Sequence, residues 1–460
     1  MKNQSNTAPL SLIEKIGYGV GDMASNFYMG FFNIFLLYYY IDVWGVSPTG
    51  VATMFLVTKI IDAISDPTMG IIADRTETKW GKYRPYILWM AIPFALLGYL
   101  LFLGPDLSET GKLIFAYVSY SLVMLVYTAI NVPYSALLAV ISPVSEERTK
   151  ATQYRFIFAS LGTLLVGASA KPLVDWLGGG DELLGFRLTI ILFAILSLIL
   201  FFFTFSVTRE RIKPKKHETS IKDDINVLRK NISWIILAVC SILIVVGLVA
   251  RISSTAFYIK YNMGFGDEKA LWWMDHTTLI ITLGFVGQLF GALITPSLLK
   301  YLDKRSLMII MNLIFGGSIF ATYFIPLDQY SLTLIMYAIG IFSFGTIITL
   351  LFSMYTDCAE YGEWMSGHNS AGLTVSASMF SLKFGSAAGS AIPGYILGWY
   401  GFVKDMEQTE SALQGIDMSW NIVPGVFFLL AALLMVFYKL DGKMMNKIEQ
   451  DLLERRGELT

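Results

Sequence analysis

Apolar residues gather into twelve long runs, and polar residues are confined to the short stretches between them. Each run is near the roughly 20 residues that a helix needs to cross a bilayer. The pattern predicts helices over residues 17–43, 48–73, 83–103, 110–142, 149–174, 184–207, 232–259, 271–299, 306–326, 330–356, 370–399 and 421–438. Several exceed the minimum, which implies tilt or extension beyond the hydrocarbon. Strands of a membrane β-barrel would be short and would alternate with period two, and no segment reads that way.

The longest polar stretch, Thr208 to Asn231, divides the runs into two sets of six. Residues 1–208 and 232–438 are therefore expected to form two six-helix bundles, joined by a linker over 209–231 and followed by a tail over 439–460. A weak internal echo supports the division: Ala73-Asp-Arg75 recurs as Leu302-Asp-Lys-Arg305 about 229 positions later. Two halves repeated in this parallel sense suggest a transporter that rocks about a midplane site. The expected class is an all-α membrane protein.

Composition agrees, since 55% hydrophobic residues and a mean hydropathy of +0.59 exceed what a soluble surface tolerates. The net charge of -1 hides a strong segregation. Placing the termini and alternate loops on one side collects 24 of the 34 basic residues, against five in the opposite loops. Positive loops stay cytoplasmic, so both termini are expected inside. The basic run Lys213-Pro-Lys-Lys216 belongs to that bias, and no nucleic-acid partner is expected. Cys240 and Cys358 suggest no disulfide framework. The first ten residues are polar and no small-residue cleavage site follows the first apolar run, which is expected to be retained as a helix.

Charges inside the runs carry the functional signal. Lys59, Asp62 and Asp66 fall at i, i+3 and i+7, on one face of the second helix. A charge at mid-bilayer costs about 2.5–3.5 kcal/mol on insertion scales, so such groups usually handle ions or substrate. Their formal sum of -1 leaves room for one monovalent cation, either sodium on hard carboxylate oxygens or a proton. A Lys–Asp bridge that only joins helices is the bland alternative. Lys383 sits mid-run among small residues, where a carboxylate partner is expected. Arg155 lies near a run's end and either snorkels or serves the site, whereas Lys171 and Arg251 read as snorkelling. On the fourth run Tyr127, Thr128, Asn131, Tyr134 and Ser135 form a polar and aromatic stripe suited to a sugar ring, or to interhelical hydrogen bonds. Asp22 and Asn26 are one turn apart on the first run. The histidines, His217, His276 and His368, are scattered, and no metal cluster or nucleophile motif suggests an enzyme or a receptor.

The run Asp62-Ala-Ile-Ser-Asp-Pro-Thr-Met-Gly70, with Asp74-Arg75 and Trp80-Gly-Lys-Tyr-Arg-Pro85, resembles the melibiose permease group of glycoside-pentoside-hexuronide:cation symporters, in the major facilitator superfamily. Lys15-Ile-Gly-Tyr-Gly19, Asn131-Val-Pro-Tyr134, Arg155-Phe-Ile-Phe-Ala-Ser160, Gly178-Gly-Gly-Asp181 and Asp357-Cys-Ala-Glu-Tyr-Gly-Glu363 extend the resemblance over nearly the whole chain. It implies a cation site at Asp62, Asp66 and Thr128, with Lys383 near both sites and Arg155 near the sugar. It also implies that Arg148, Asp357 and Glu360 help to hold the cytoplasmic side closed.

Departures concern the sugar. Asn26 and Asn131 stand where melibiose permease has acids, Ser25 replaces a lysine, and Ser135 replaces a ring-stacking tryptophan. An amide donates and accepts but carries no charge, so hydroxyl recognition should survive with altered selectivity. The expected function is therefore cation:glycoside symport by alternating access in a bacterial inner membrane, with a pentoside such as an α-xyloside as substrate. The sugar site is expected at Asp22, Asn26, Tyr127, Asn131, Ser135, Arg155 and Lys383. A hexuronide bound through Arg155 or Lys383 is one alternative, and a sodium-coupled lysolipid carrier with a greasy cavity is another. Beyond Na+ or H+ no cofactor is expected, and a monomer in the bilayer suffices.

Overall fold

Ser11 opens the first helix with a capping box, its hydroxyl accepting from the Glu14 N–H while the Glu14 carboxylate accepts from the Ser11 N–H. From there α1 runs over Leu12–Phe31 and continues through π-helical turns at Phe32–Leu36 and Tyr39–Val43. The computed structural model describes residues 9–142, 144–211, 221–266, 268–367, 371–404 and 406–456. Lys213 to Lys216, His217 and His368 lie outside the described residues.

Contacts divide the chain into two units. The first comprises described residues of Met1–Lys216, Asp267–Leu279 and Val403–Glu407, and the second those of His217–Gly266, Ile280–Phe402 and Gln408–Thr460. In the first, α2 (Pro48–Arg75), α3 (Arg84–Leu101), α4 (Glu109–Ile141), α5 (Ser145–Gly178) and α6 (Glu182–Val207) follow α1. α1 packs on α5 and α6, while α4 packs on α2 and α3. Gly19 and Gly162 allow the α1–α5 approach, since a Cβ on either would stand about 3 Å from a backbone atom, the carbonyl of Tyr154 or of Met23 respectively. At the far end of α1, Phe31, Phe102 and Phe186 build an aromatic core with centroids 5.0–6.0 Å apart.

The second unit contains α7 (Ile221–Lys230), α8 (Ile232–Phe257) with a π-turn at Tyr258–Asn262, α10 (Lys304–Tyr323), α11 (Tyr330–Ser366) and α12 (Ala371–Trp399). It also contains α13 (Glu410–Asp417), a π-turn at Met418–Ile422, α14 (Val423–Met435) and α15 (Gly442–Arg456). Here α8 packs on α12 and α14, and α10 on α11 and α14. Helix α9 spans His276–Leu298, beginning later than its apolar pattern predicts. The preceding Lys269–Leu271 and Met274–Asp275 pair as a short antiparallel hairpin whose tip residue Trp272 has φ +51°. Asp275 then caps α9 by accepting from the Thr278 N–H at 2.9 Å.

Among the described residues, nine helices are long and apolar enough to cross a membrane by that measure alone. The further long segments are α1 with its π-turns, α2 and α12. The last two carry Lys59, Asp62, Asp66 and Lys383.

Candidate functional site

Helix α2 presents its two carboxylates differently. Asp62 is 5% exposed; its Oδ2 accepts from Lys59 Nζ at 2.8 Å, while its Oδ1 is buried with no protein partner among the described residues. The ion pair is internal to α2 and does not join two helices. One turn on, Asp66 Oδ1 accepts from Thr128 Oγ1 of α4 at 2.9 Å, and Thr128 is itself buried. Pro67 follows immediately and has no N–H to return to the Ala63 carbonyl, so the ladder lacks a donor between the two acids. Asp62 Oδ1, which lacks a partner among the described residues, thus lies on one short stretch with Asp66, with a formal charge of -1 over Lys59, Asp62 and Asp66. A hard monovalent cation or a proton would complete it. Beside it, Ile61, Ile64, Ser65, Thr68, Met69, Ile72, Leu125 and Thr128 line a groove of about 380 Å³.

Asp22, Asn26, Asn131, Ser135 and Arg155 are also gathered in the first unit, on α1, α4 and α5. Arg155 Nε donates to Asp22 Oδ2 at 3.0 Å and its Nη1 to Ser135 Oγ at 3.3 Å, so Arg155 does not snorkel. The guanidinium lies 5.0 Å from the Tyr134 ring, whose other neighbour is Tyr18, stacked at 4.8 Å. Tyr134, part of the predicted stripe, is thereby packed away. Asn131 Nδ2 donates to the Tyr127 hydroxyl at 2.6 Å, leaving a buried Oδ1 without a protein partner among the described residues. Asn26 Nδ2 donates to the Asp22 carbonyl at 2.8 Å, and its Oδ1 accepts from Thr163 at 3.3 Å. Lys383 is half-buried on α12 of the second unit and is not free.

Two cations expected to snorkel are buried instead. Lys171 binds Asp175 at 2.6 Å and Glu182 at 3.1 Å. Arg251, 2% exposed, lies 4.1 Å from the Trp420 ring and 5.3 Å from that of Tyr337, with Nη1 donating to the Trp420 carbonyl. Aromatic faces and one carbonyl replace the expected interfacial water.

Two of the charges implied in closure have a partner in their own unit. Arg148 Nη1 donates to the Ser142 carbonyl at 2.9 Å, Asp357 takes Lys304 Nζ at 2.7 Å, and Glu360 is exposed. Sequence reading missed Lys304 as a partner, although it lies in the repeated Asp-Lys-Arg echo. It also missed two acids. Glu147 accepts from Lys15 at 2.8 Å, Lys150 at 3.1 Å and the Leu10 N–H at 3.0 Å; its hydrogen bond from Lys15, above all, holds its carboxyl down at about 2. Glu210 accepts from three successive N–H groups, of Lys82, Tyr83 and Arg84, at 2.9, 2.7 and 3.1 Å. For Glu14, burial raises the carboxyl, but the Ser11 hydrogen bonds and Arg211 outweigh it and leave it lowered.

Comparison with known proteins places this chain in a lineage. Residues 17–442 match the family described as MFS/sugar transport protein. The isoprimeverose transporter of Lactiplantibacillus pentosus is 33% identical over 97% of this chain and 92% of its own. The putative glycoside/cation symporter YagG of Escherichia coli (strain K12) is 33% identical over 97% and 96%. A crystal structure of a D-xylose-proton symporter superposes with a TM-score of 0.60 at 14% identity, covering 94% of this chain and 98% of that one, a likeness of fold. With carboxylates inside a helical membrane fold and relatives over 97% of its length named as a transporter and a putative glycoside/cation symporter, this chain belongs to the MFS/sugar transport protein family and is a multi-span membrane transporter of the glycoside–cation symporter group, not an enzyme.

Proposed function

We propose that this protein carries a pentoside, such as an α-xyloside, into the bacterial cytoplasm together with Na+ or H+, with both termini cytoplasmic. Asp62, Asp66 and Thr128 bind the cation; Asp22, Asn26, Tyr127, Asn131, Ser135, Arg155 and Lys383 serve the sugar; Arg148, Asp357 and Glu360 stabilise the inward-closed state. The observation that carries this reading is the buried, unpartnered Asp62 Oδ1 one turn from an Asp66 held by Thr128. A carboxylate oxygen left without a donor in a low-dielectric setting is costly unless a cation arrives. The relative's name supports the substrate class, since isoprimeverose transport is ascribed to a protein similar over 97% of this chain. Cation binding would favour sugar binding, and by reciprocity the sugar would favour the cation.

Uptake of a labelled α-xyloside and a galactoside into vesicles under imposed sodium or proton gradients tests this. Gradient-dependent xyloside accumulation is expected and names the ion. Accumulation of neither sugar overturns the substrate assignment. The apolar groove beside Thr128 favours a second reading, a lysolipid carrier, which the same vesicles check with a labelled lysolipid.

A further inference from the structure

We infer that the sugar site is built for a neutral glycoside ring and rejects a ring bearing a carboxylate, with the Asp22–Arg155 pair as its specificity-determining element. The inference rests on the sugar-site reading above. A hexuronide carboxylate would look to a cation, and the Arg155 charge is already offset by Asp22: Nε donates to it at 3.0 Å, Nη1 donates to Ser135 at 3.3 Å, and the guanidinium lies 5.0 Å from the Tyr134 ring. A carboxylate approaching it meets Asp22 as a like-charged neighbour, or must displace Asp22 and leave that largely buried acid unpaired. Lys383 already has an interaction of its own.

The amides hold the ring rather than read carbon 5. Asn131 Oδ1 is buried and lacks a donor among the described residues, and Asn26 Oδ1 faces a Thr163 hydroxyl at 3.3 Å whose proton is shared with the Ala159 carbonyl. Both can accept from sugar hydroxyls. Xyloside and glucuronide present the same hydroxyls at carbons 2, 3 and 4, so the discrimination falls to the Asp22–Arg155 pair.

Three p-nitrophenyl α-glycosides that differ only at ring carbon 5 separate the possibilities: the xyloside (hydrogen), the glucoside (hydroxymethyl) and the glucuronide (carboxylate). Binding to the purified full-length protein is measured at saturating sodium and at low pH. The wild type is expected to bind the xyloside about 100-fold or more tightly than the glucuronide, as an unpaired charge in a partly buried site requires. In Asp22→Asn, Arg155 is released and the ratio falls at least about ten-fold. Equal wild-type affinities overturn the inference. So does an Asp22→Asn protein that binds xyloside with an unchanged ratio. If Asp22→Asn does not fold, Asp22→Ser and the wild-type ratio decide. Failure to bind any of the three removes the sugar-site reading itself, and is distinguishable from a site that prefers the glucuronide.

Discussion

Thr128 on α4 donates to Asp66 on α2 across 2.9 Å, tying the second carboxylate of the proposed cation site to a neighbouring helix. A hydrogen bond to a charged group contributes about 1.5–3 kcal/mol. Thr128→Ala is therefore expected to raise the half-saturating cation concentration for sugar uptake at least ten-fold, since about 1.4 kcal/mol is a factor of ten. Thr128→Ser keeps the hydroxyl and should stay near wild type. Cation titrations of uptake check both, and equal values for Ala and wild type would remove Thr128 from the site.

Thr163 acts on the sugar side through Asn26. The Asp22 carbonyl only accepts, so it fixes Asn26 nitrogen at 2.8 Å and turns Asn26 oxygen toward the Thr163 hydroxyl at 3.3 Å, whose one proton is shared with the Ala159 carbonyl at 3.1 Å. Thr163→Val is expected to weaken sugar binding roughly five-fold, the equivalent of about 1 kcal/mol for one hydrogen bond, while Thr163→Ser does not. In an Asn26→Ala background the Val change should add nothing. Additive losses in the double mutant would break the link.

Much of this was legible in the chain, for identifiable reasons. Hydropathy located the helices because a bilayer demands continuous apolar runs, and Asp62 and Asp66 stood out because charge there is expensive. Helix starts were less legible where apolar residues serve another purpose: Leu271 and Trp272 belong to the hairpin before α9. Partnerships across helices were hidden, as nothing in one sequence links Arg155 to Asp22, 133 positions away, or Glu147 to Lys15. For Arg251 a place near the outer end of its run suggested snorkelling, yet Trp420, 169 positions on, supplies the carbonyl and ring that keep it inside.

Glu210 explains why Trp80-Gly-Lys-Tyr-Arg84 has its form. Its carboxylate caps the N-terminus of α3 through three N–H groups, a favoured place for negative charge. Gly81 permits the approach: its φ is +111°, and a Cβ there would lie 2.4 Å from the Glu210 carboxyl. Arg84 adds a 2.6 Å bond to the Phe205 carbonyl. Glu210→Ala is expected to cost about 1–3 kcal/mol through unsatisfied donors. Gly81→Ala should cost at least as much, because strain and collision act together. Thermal unfolding in detergent reads both, and an unchanged midpoint for Gly81→Ala would contradict the clamp.

Glu147 sets a pH dependence with a definite sign. Its carboxyl falls from an ordinary 4.5 to about 2, chiefly through Lys15. A lowered acid stabilises the folded state above its unfolded value, and that contribution disappears as pH drops toward the folded one. Wild type should thus lose stability relative to Glu147→Gln as pH falls from about 5 to about 2, and nothing should separate their slopes above pH 6. Parallel unfolding midpoints for the two proteins across the acid range would show that the Lys15 and Lys150 contacts contribute nothing.

In the second unit, Gly291 and Gly345 set how closely α9 and α11 can lie. A Cβ on Gly345 would stand 1.9 Å from the Gln288 carbonyl oxygen, and one on Gly291 1.9 Å from that of Phe342. Neither neighbour is a side chain that can rotate away. Thr346 Oγ1 also donates to the Gly291 carbonyl at 3.0 Å, so separating the helices to admit a methyl group loses that bond as well. Without a hydrophobic force between helices in lipid, such close contact and its hydrogen bond are what hold them together. Either glycine replaced by alanine is expected to destabilise the protein by about 1–3 kcal/mol, as overpacking does. Gly317 in α10 is the control: a Cβ there meets nothing within 4 Å. Gly317→Ala should be neutral or stabilising by up to about 1 kcal/mol, because glycine only adds disorder to the unfolded chain there. Comparing the three variants by unfolding in detergent separates contact from composition, since all make the same chemical change; similar midpoints for all three would refute the contact.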